Sequence, residues 1–187
     1  MTPLLRRYAD TPEDIEQVVM PLLEVYAKVR APLLHLPNYT VAAFAERLER
    51  HIGEAGFGAV LAFDEEDRPV GYAYGNTVDS GDRWWRRMGE VAAVHTAATA
   101  LAIKEIGVTT PYRGTGLARR IHDALLSGRS ERNVSLMVNP EAGDGKVQRV
   151  YESWGYTVIG ASRPSPDSPV LTAMIRPIAD TTEVAAG

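Results

Sequence analysis

The sequence of 187 residues contains no cysteine. Disulfides, thiolate metal ligands and an acyl-cysteine intermediate are excluded together, so any acyl transfer here proceeds without a cysteine nucleophile. No apolar run approaches the roughly 20 residues needed to cross a bilayer, and the opening MTPLLRRYAD lacks the apolar h-region of a signal peptide. A soluble, cytoplasmic protein with no membrane partner is expected. Excess positive charge is missing too: the formal net charge is −4, which leaves no broad basic surface, and no nucleic-acid partner is expected. Lysine is scarce, only Lys28, Lys104 and Lys146 among 20 basic residues, a skew that genome composition explains better than chemistry. The four histidines, His35, His51, His95 and His122, show no metal-ligand spacing, so no metal is expected.

What is present is 45% hydrophobic residues, enough for one domain with a full core, expected over 1–178 with 179–187 as a flexible tail. Pro3 to Ala9 reads as a short strand. Thr11 then suits an N-cap, Pro12 the first helical position, and Glu13 and Asp14 the first turn. Ile15, Val18, Val19, Leu22, Leu23 and Tyr26 give that helix an apolar face, within which Pro21 predicts a kink or a break. Pro32 and Pro37 bracket a loop around His35, and a second helix is expected from Thr40 to Gly53. Phe57 to Phe63 and Pro69 to Thr77 read as a hairpin around the acidic tip 64–68. A loop follows, VDSGDRWWRRMG, open to two readings: an acceptor-site lid favouring an aromatic or carboxylate-bearing amine, or a loop pinned to the sheet by one tryptophan. Strand character returns near Thr99, recurs at Val134 to Val138, and closes with Tyr156 to Ile159 and Val170 to Ile175, joined through Pro164, Pro166 and Pro169. Before the closing strands, Asp144 is placed to cap a helix carrying Val147, Val150, Tyr151 and Trp154 on its apolar face. The order βααβββαβαββ makes an α/β sandwich around a mixed sheet.

The chain is organised around Ile106 to Ala118, IGVTTPYRGTGLA. A strand ending at Val108 meets a turn with Pro111, then Arg113-Gly114-Thr115-Gly116, then a helix whose face is Leu117, Ile121, Ala124 and Leu125. The first N–H groups of such a helix have no internal partner and lie at the positive end of its dipole. Glycines at its start let an anion approach the backbone. A Walker A loop would need Gly-Lys-Ser/Thr where Leu117-Ala118 stand, and a dinucleotide fingerprint would need a third glycine at Arg119. Arg119 and Arg120 in the first turn oppose the helix dipole by roughly 0.3–1 kcal/mol each. They are either compensated by a bound anion or simply solvated.

Arg113-Gly114-Thr115-Gly116-Leu117-Ala118 resembles the R/QxxGxG/A signature of the GNAT superfamily of N-acetyltransferases, and VYESWGY, 150–156, resembles its second landmark, LYxxxGF. The resemblance covers roughly Leu101 to Gly160 and implies the GNAT fold: α/β, a mixed, mostly antiparallel central sheet with helices on both faces. It implies acetyl-CoA as co-substrate, its pyrophosphate on the amides of Arg113, Gly114, Thr115, Gly116, Leu117 and Ala118. It implies pantetheine pairing near Ile106 and Val108, with the Val108 amide as oxyanion donor. Tyr151 matches the tyrosine that can protonate the departing thiolate, and a core aromatic is the competing reading. Glu105 stands where some members carry a general base, and a strand carboxylate paired with an arginine is the competing reading. The family often has Asn seven positions before the tyrosine, where this chain has Asp144; an aspartate there loses the amide donor and adds a negative charge. The implied partner is a small-molecule or protein amine, and the implied assembly a monomer or homodimer. A non-catalytic module that binds CoA or acyl-CoA for regulation is the alternative.

Overall fold

The computed structural model describes residues 2–91, 93–163 and 168–178. Pro164, Pro166 and the expected tail 179–187 lie outside the described residues. In chain order the elements are β1 (Leu4–Tyr8), α1 (Pro12–Val29), α2 (Val41–Ile52), β2 (Gly58–Phe63), β3 (Pro69–Val78), the single turns α3 (Arg83–Arg86) and α4 (Ala93–Thr96), and β4 (Ala100–Val108). They continue with α5 (Leu117–Leu126), β5 (Asn133–Val138), α6 (Lys146–Ser153), β6 (Thr157–Ser162) and β7 (Leu171–Pro177). The hydrogen-bonded strand order is β1-β2-β3-β4-β5-β7-β6. β1–β2, β2–β3, β5–β7 and β6–β7 are antiparallel and β4–β5 is parallel, so the sheet is mixed and mostly antiparallel, as expected. Among the described residues no helix is long and apolar enough to cross a membrane.

The chain divides into two compact units, each built from two stretches: 1–76 with 104–127, and 77–103 with 128–187. In the first, the Thr11 side chain accepts from the Asp14 amide at 3.2 Å and caps α1, and the Thr40 side chain accepts from the Ala43 amide at 3.1 Å and caps α2. Pro21 does not break α1, which runs 18 residues through it. An internal proline costs roughly 3 kcal/mol; here α1 buries Val18, Leu22, Val25, Tyr26 and Val29, and each such side chain contributes roughly 1.5–3 kcal/mol. Tyr26 stacks on Phe44 with centroids 3.8 Å apart, and Phe57, Leu61, Tyr72 and Tyr74 complete that core. The expected hairpin forms, its acidic tip closed by Asp64 Oδ1 accepting from the amides of Glu66 and Arg68 at 3.2 and 2.9 Å.

Two glycines let the layers of this unit approach. A Cβ on Gly107 in β4 would lie 2.7 Å from Val29 Cγ1, and one on Gly71 in β3 would lie 2.7 Å from Ile121 Cδ1. The end of α1 therefore rests against β4, and α5 against β3, at distances no side chain at these positions would allow. Arg7 Nη2 donates to the Ser127 carbonyl, tying β1 to the end of α5.

The second unit has its own core of Val78, Trp84, Trp85, Met88, Ala100, Ala102, Ala173 and Ile175. The Arg-Trp loop is thus a short helix capped by Asp82, whose side chain accepts from the Trp84 amide at 2.7 Å, with both tryptophans buried. Trp84 Nε1 donates to the buried Ser135 hydroxyl at 3.1 Å, and Trp85 Nε1 to the Asp79 carbonyl at 2.9 Å. Two anchors replace the one expected, and neither ring is available as a lid. β4 pairs with β5 at Ala100 to Ala102 against Asn133 to Ser135. Gly160 passes under the same loop, where a Cβ would lie 2.8 Å from the Met88 carbonyl.

Candidate functional site

The glycine stretch is built as its sequence demands. After β4 a single 3-10 turn, Thr110–Tyr112, with Pro111 at its second position, brings the chain to Arg113. Gly114 and Gly116 then take φ of +75° and +83°, and α5 begins with Gly116 as its N-cap. These left-handed torsions are disfavoured for residues with a side chain. No side chain caps α5 and no acidic residue stands in its first turn. Residues 113–116 are exposed, and a Cβ at either glycine would meet nothing within 4 Å. Of the amides proposed for the pyrophosphate, those of Arg113 and Thr115 donate to the Thr110 and Tyr112 carbonyls at 3.2 and 3.4 Å and are turned into the loop. That leaves Gly114, Gly116 and the first residues of α5 at the positive helix end, the arrangement that receives an anion. Leu117, Ile121, Leu125 and Leu126 anchor the helix, and His122 is fully buried among them, its Nδ1 2.9 Å from Asp123 Oδ1. Arg119 and Arg120 have partners within the protein: Arg119 Nε donates to Asp123 Oδ2 at 2.7 Å and Arg120 Nη2 to the Pro3 carbonyl at 3.2 Å.

In the same unit Glu105 sits inside a polar cluster that periodicity does not reveal. Arg30 Nη2 donates to Glu105 Oε2 at 2.8 Å, the Tyr72 hydroxyl approaches the same oxygen at 3.4 Å, and Arg47 Nη2 lies 3.9 Å from Oε1. Arg30 is the C-cap of α1, so the contact between Val29 and Gly107 is also what sets Arg30 beside Glu105. Burial works against the Arg30 charge, but Glu105 outweighs it and keeps the guanidinium above its ordinary value. Burial first, and then the Glu105 charge, push the hydroxyls of Tyr72 and Tyr74 well up and that of Tyr26 up, so all three stay neutral. Behind them the Tyr74 hydroxyl meets His51 Nδ1 at 3.0 Å, and Asn76 Nδ2 donates to the His51 and Glu54 carbonyls. Lys104 pairs with Glu54 at 3.1 Å. Burial, helped by the Lys104 charge, lowers the His51 imidazole to about 4.

The remaining proposed site residues divide between the units. Ile106 and Val108 are half-buried in β4 with Glu105, in the unit that holds the glycine stretch. Tyr151 and Asp144 belong to the second unit. Tyr151 is the buried residue of α6 and packs edge-on against Trp154 and Tyr156, with centroids 5.3 and 5.7 Å away. Asp144 does not cap α6. The N-cap is Gly145 at φ +77°, with no side-chain bond, and Asp144 itself takes φ +55° between Gly143 and Gly145. A residue in that conformation precedes the cap, and its carbonyl accepts from Arg149 Nη2 at 3.1 Å. Val147 and Val150, expected to be packed, are 37% and 43% exposed. His35 is exposed and His95 half-buried.

Residues 23–156, well over half of the chain, match the model of the acetyltransferase (GNAT) family. No curated protein matches the sequence. Many solved structures share the fold. A Corynebacterium glutamicum structure described as histone acetyltransferase HPA2 and related acetyltransferase is 21% identical, with a TM-score of 0.61 over 97% of this chain and 99% of that one. A phosphinothricin acetyltransferase from Sinorhizobium meliloti, in complex with AcCoA, is 18% identical with a TM-score of 0.58, covering 97% and 91%. The ribosomal-protein-S18-alanine N-acetyltransferase of Escherichia coli is 15% identical with a TM-score of 0.59, covering 98% and 100%.

Proposed function

Since the chain belongs to the acetyltransferase (GNAT) family of acyltransferase enzymes, we propose that it moves an acetyl group from acetyl-CoA directly to a primary amine of a small molecule or protein. The observation that carries this reading is the exposed glycine turn, with Gly114 and Gly116 in left-handed torsions and α5 starting uncapped behind them. That cradle fits a pyrophosphate: it offers backbone donors, contains no acid, and has no side chain to displace. Related structures act on acceptors as different as phosphinothricin and a ribosomal protein, so both acceptor classes stay in the proposal.

Acetyl-CoA, when bound, supplies the activated thioester. The amides of Gly114, Gly116, Leu117 and Ala118 hold its pyrophosphate, with Arg113 exposed beside them. Backbone groups of Ile106 and Val108 hold the pantetheine arm, and the Val108 N–H is the donor for the thioester carbonyl oxygen. Glu105 receives a proton from the acceptor ammonium, whose pKa near 10 keeps it charged at neutral pH. Its hydrogen bond from Arg30 fixes the carboxylate in place. Tyr151 supplies the proton taken up by the departing thiolate.

Thermal unfolding with and without acetyl-CoA tests the binding step. At about 100 times Kd a ligand selective for the folded state adds roughly 2.7 kcal/mol, or about 5–11 °C in midpoint for a chain of this size. The rise should shrink in Arg113→Ala. Released thiol can then be titrated against candidate amines without background, because the protein has no cysteine. Tyr151→Phe should keep the midpoint rise and lose transfer by about 100-fold or more; unchanged transfer would remove Tyr151 from the reaction. The departure at Asp144 favours a second reading, a binding module without turnover, and a midpoint rise with no thiol release from any amine would select it.

A further inference from the structure

The cluster around Glu105 carries more positive charge than it neutralises. Arg30, Arg47 and Lys104 contribute +3, and Glu54 and Glu105 contribute −2, leaving +1. His51 adds nothing at neutral pH, since burial lowers it to about 4, and the tyrosines stay uncharged. Glu46, Glu49 and Arg50 on α2 are exposed, where solvent screens them. Arg30 Nε is buried with no acceptor, and Arg47 is held in place by hydrogen bonds to neutral acceptors only, its Nη1 donating to the Asn38 and Ala43 carbonyls at 2.9 and 3.2 Å and its Nη2 to the Tyr26 hydroxyl at 3.4 Å. The cluster is nonetheless reachable, because the side chains of Arg30, Arg47 and Glu105 remain 29%, 28% and 16% exposed. A guanidinium presents a planar fork that matches a carboxylate or phosphate, and two of them flank one carboxylate here.

We infer that the acceptor amine of this enzyme carries an anionic group, a carboxylate, sulfonate or phosphate, which Arg30 and Arg47 receive while Glu105 faces the ammonium. The inference rests on the acetyl-transfer reading above and narrows it. The acceptor's anion would cancel the surplus charge while the 2.8 Å bond from Arg30 keeps Glu105 in place, and its ammonium would meet the Glu105 carboxylate. The ammonium first gives one proton to Glu105, which passes it to solvent. As the C–N bond forms and the thioester C–S bond breaks, the nitrogen gives its second proton to Glu105 and the thiolate takes one from Tyr151, and the proton on Glu105 returns through water to the tyrosine. A polycationic acceptor would instead add to a charge already unbalanced.

The test compares matched acceptors by thiol release: β-alanine, taurine and O-phosphoethanolamine against β-alaninamide and ethanolamine. The C-terminally amidated dipeptides Asp-Ala and Asn-Ala, which differ only in the side-chain acid, run in parallel to tell a peptide-borne acid from a free one. Wild type should favour the acidic member of a pair by roughly 30-fold or more in kcat/KM, the discrimination expected of a desolvated charge pair. Arg47→Met should reduce that ratio about tenfold. Arg30→Lys, which keeps the charge and removes the fork, should reduce it less while retaining the acetyl-CoA midpoint rise. A dependence on acid confined to the dipeptides supports the inference and assigns it a peptide acceptor. A ratio near one overturns it, as does acetylation of neither member by protein that acetyl-CoA stabilises. Failure of acetyl-CoA to stabilise the wild type is a separate result, which removes the transfer reading and takes this inference with it.

Discussion

Replacing Gly107 by alanine tests the close approach on which the Glu105 cluster depends. The new Cβ would lie 2.7 Å from Val29 Cγ1 and 3.3 Å from Tyr72 Cε1. Ordinary contact begins near 3.4 Å, so Val29 must retreat by about 0.7 Å. A valine side chain has one strongly preferred rotamer in a helix and cannot swing aside cheaply, so the end of α1 has to move. Overpacking of this kind costs about 1–3 kcal/mol. Removing a flexible glycine from a strand returns roughly 0.5–1 kcal/mol. The net loss is about 0–2.5 kcal/mol, or up to roughly 10 °C in midpoint for a chain of this length. Arg30 follows Val29 directly, so the same shift lengthens its 2.8 Å bond to Glu105. The assay is thermal unfolding of Gly107→Ala in the wild-type and Val29→Ala backgrounds, arranged as a double-mutant cycle. Truncating Val29 removes the obstructing methyl, so the alanine should cost much less in that background. Equal costs in both backgrounds would refute the argument from contact.

Three further outcomes are expected. Because the His51 pKa is lowered from 6.5 to about 4 by burial and by Lys104, its neutral form stabilises the fold fully above pH 6.5. That contribution, on the order of 2 kcal/mol after allowance for its partial exposure, should be lost as pH falls from 6.5 to 4. His51→Gln should flatten the fall, as read from denaturant midpoints across that range. Gly116→Val should lose stability by about 1–2 kcal/mol through its left-handed torsion and weaken acetyl-CoA binding in calorimetry; unchanged affinity would argue against the turn as the pyrophosphate cradle. Trp84→Phe, which deletes the donor to buried Ser135, should cost roughly 1–3 kcal/mol in chemical denaturation.

What could be read from the sequence is what local chemistry specifies. Thr11 and Thr40 announce their caps because the partner amides lie three residues away. The turn at Gly114 and Gly116 needs left-handed torsions within one short stretch, and its neighbours Leu117 and Ile121 show the helix that follows. Where the reading departs from the structure, the deciding contact is distant. Pairing of Glu105 with an arginine is one of the two readings the sequence leaves open, and the structure shows it, but Arg30 is 75 residues away and nothing in either neighbourhood names it as the partner. Pro21 is a breaker by local rule, yet the buried face of α1 carries the helix past it. Val147 and Val150 share their spacing with Tyr151, and only the tyrosine is buried, because periodicity marks a face without saying what covers it. Trp84 and Trp85 lie among arginines, which leaves a lid and a loop pinned by one tryptophan both open, whereas their ring nitrogens reach Ser135 and Asp79 and bring both rings inside.

The discontinuous make-up of the first unit imposes an order on its birth. Its opening stretch ends at Asn76, and the strand and helix that complete it end at Ser127, 127 − 76 = 51 residues later. At roughly 5–20 residues per second, a ribosome needs about 3–10 s to deliver them. During that interval β3 is the open edge of a three-stranded sheet, a run almost wholly buried in the finished protein. Unpaired apolar edges of this kind recruit other chains. A fragment released at Asn76 should therefore self-associate with rising concentration, and extension to Ser127 should suppress it. The arrival of Gly107 and its strand is thus the event that makes the nascent chain safe from its neighbours.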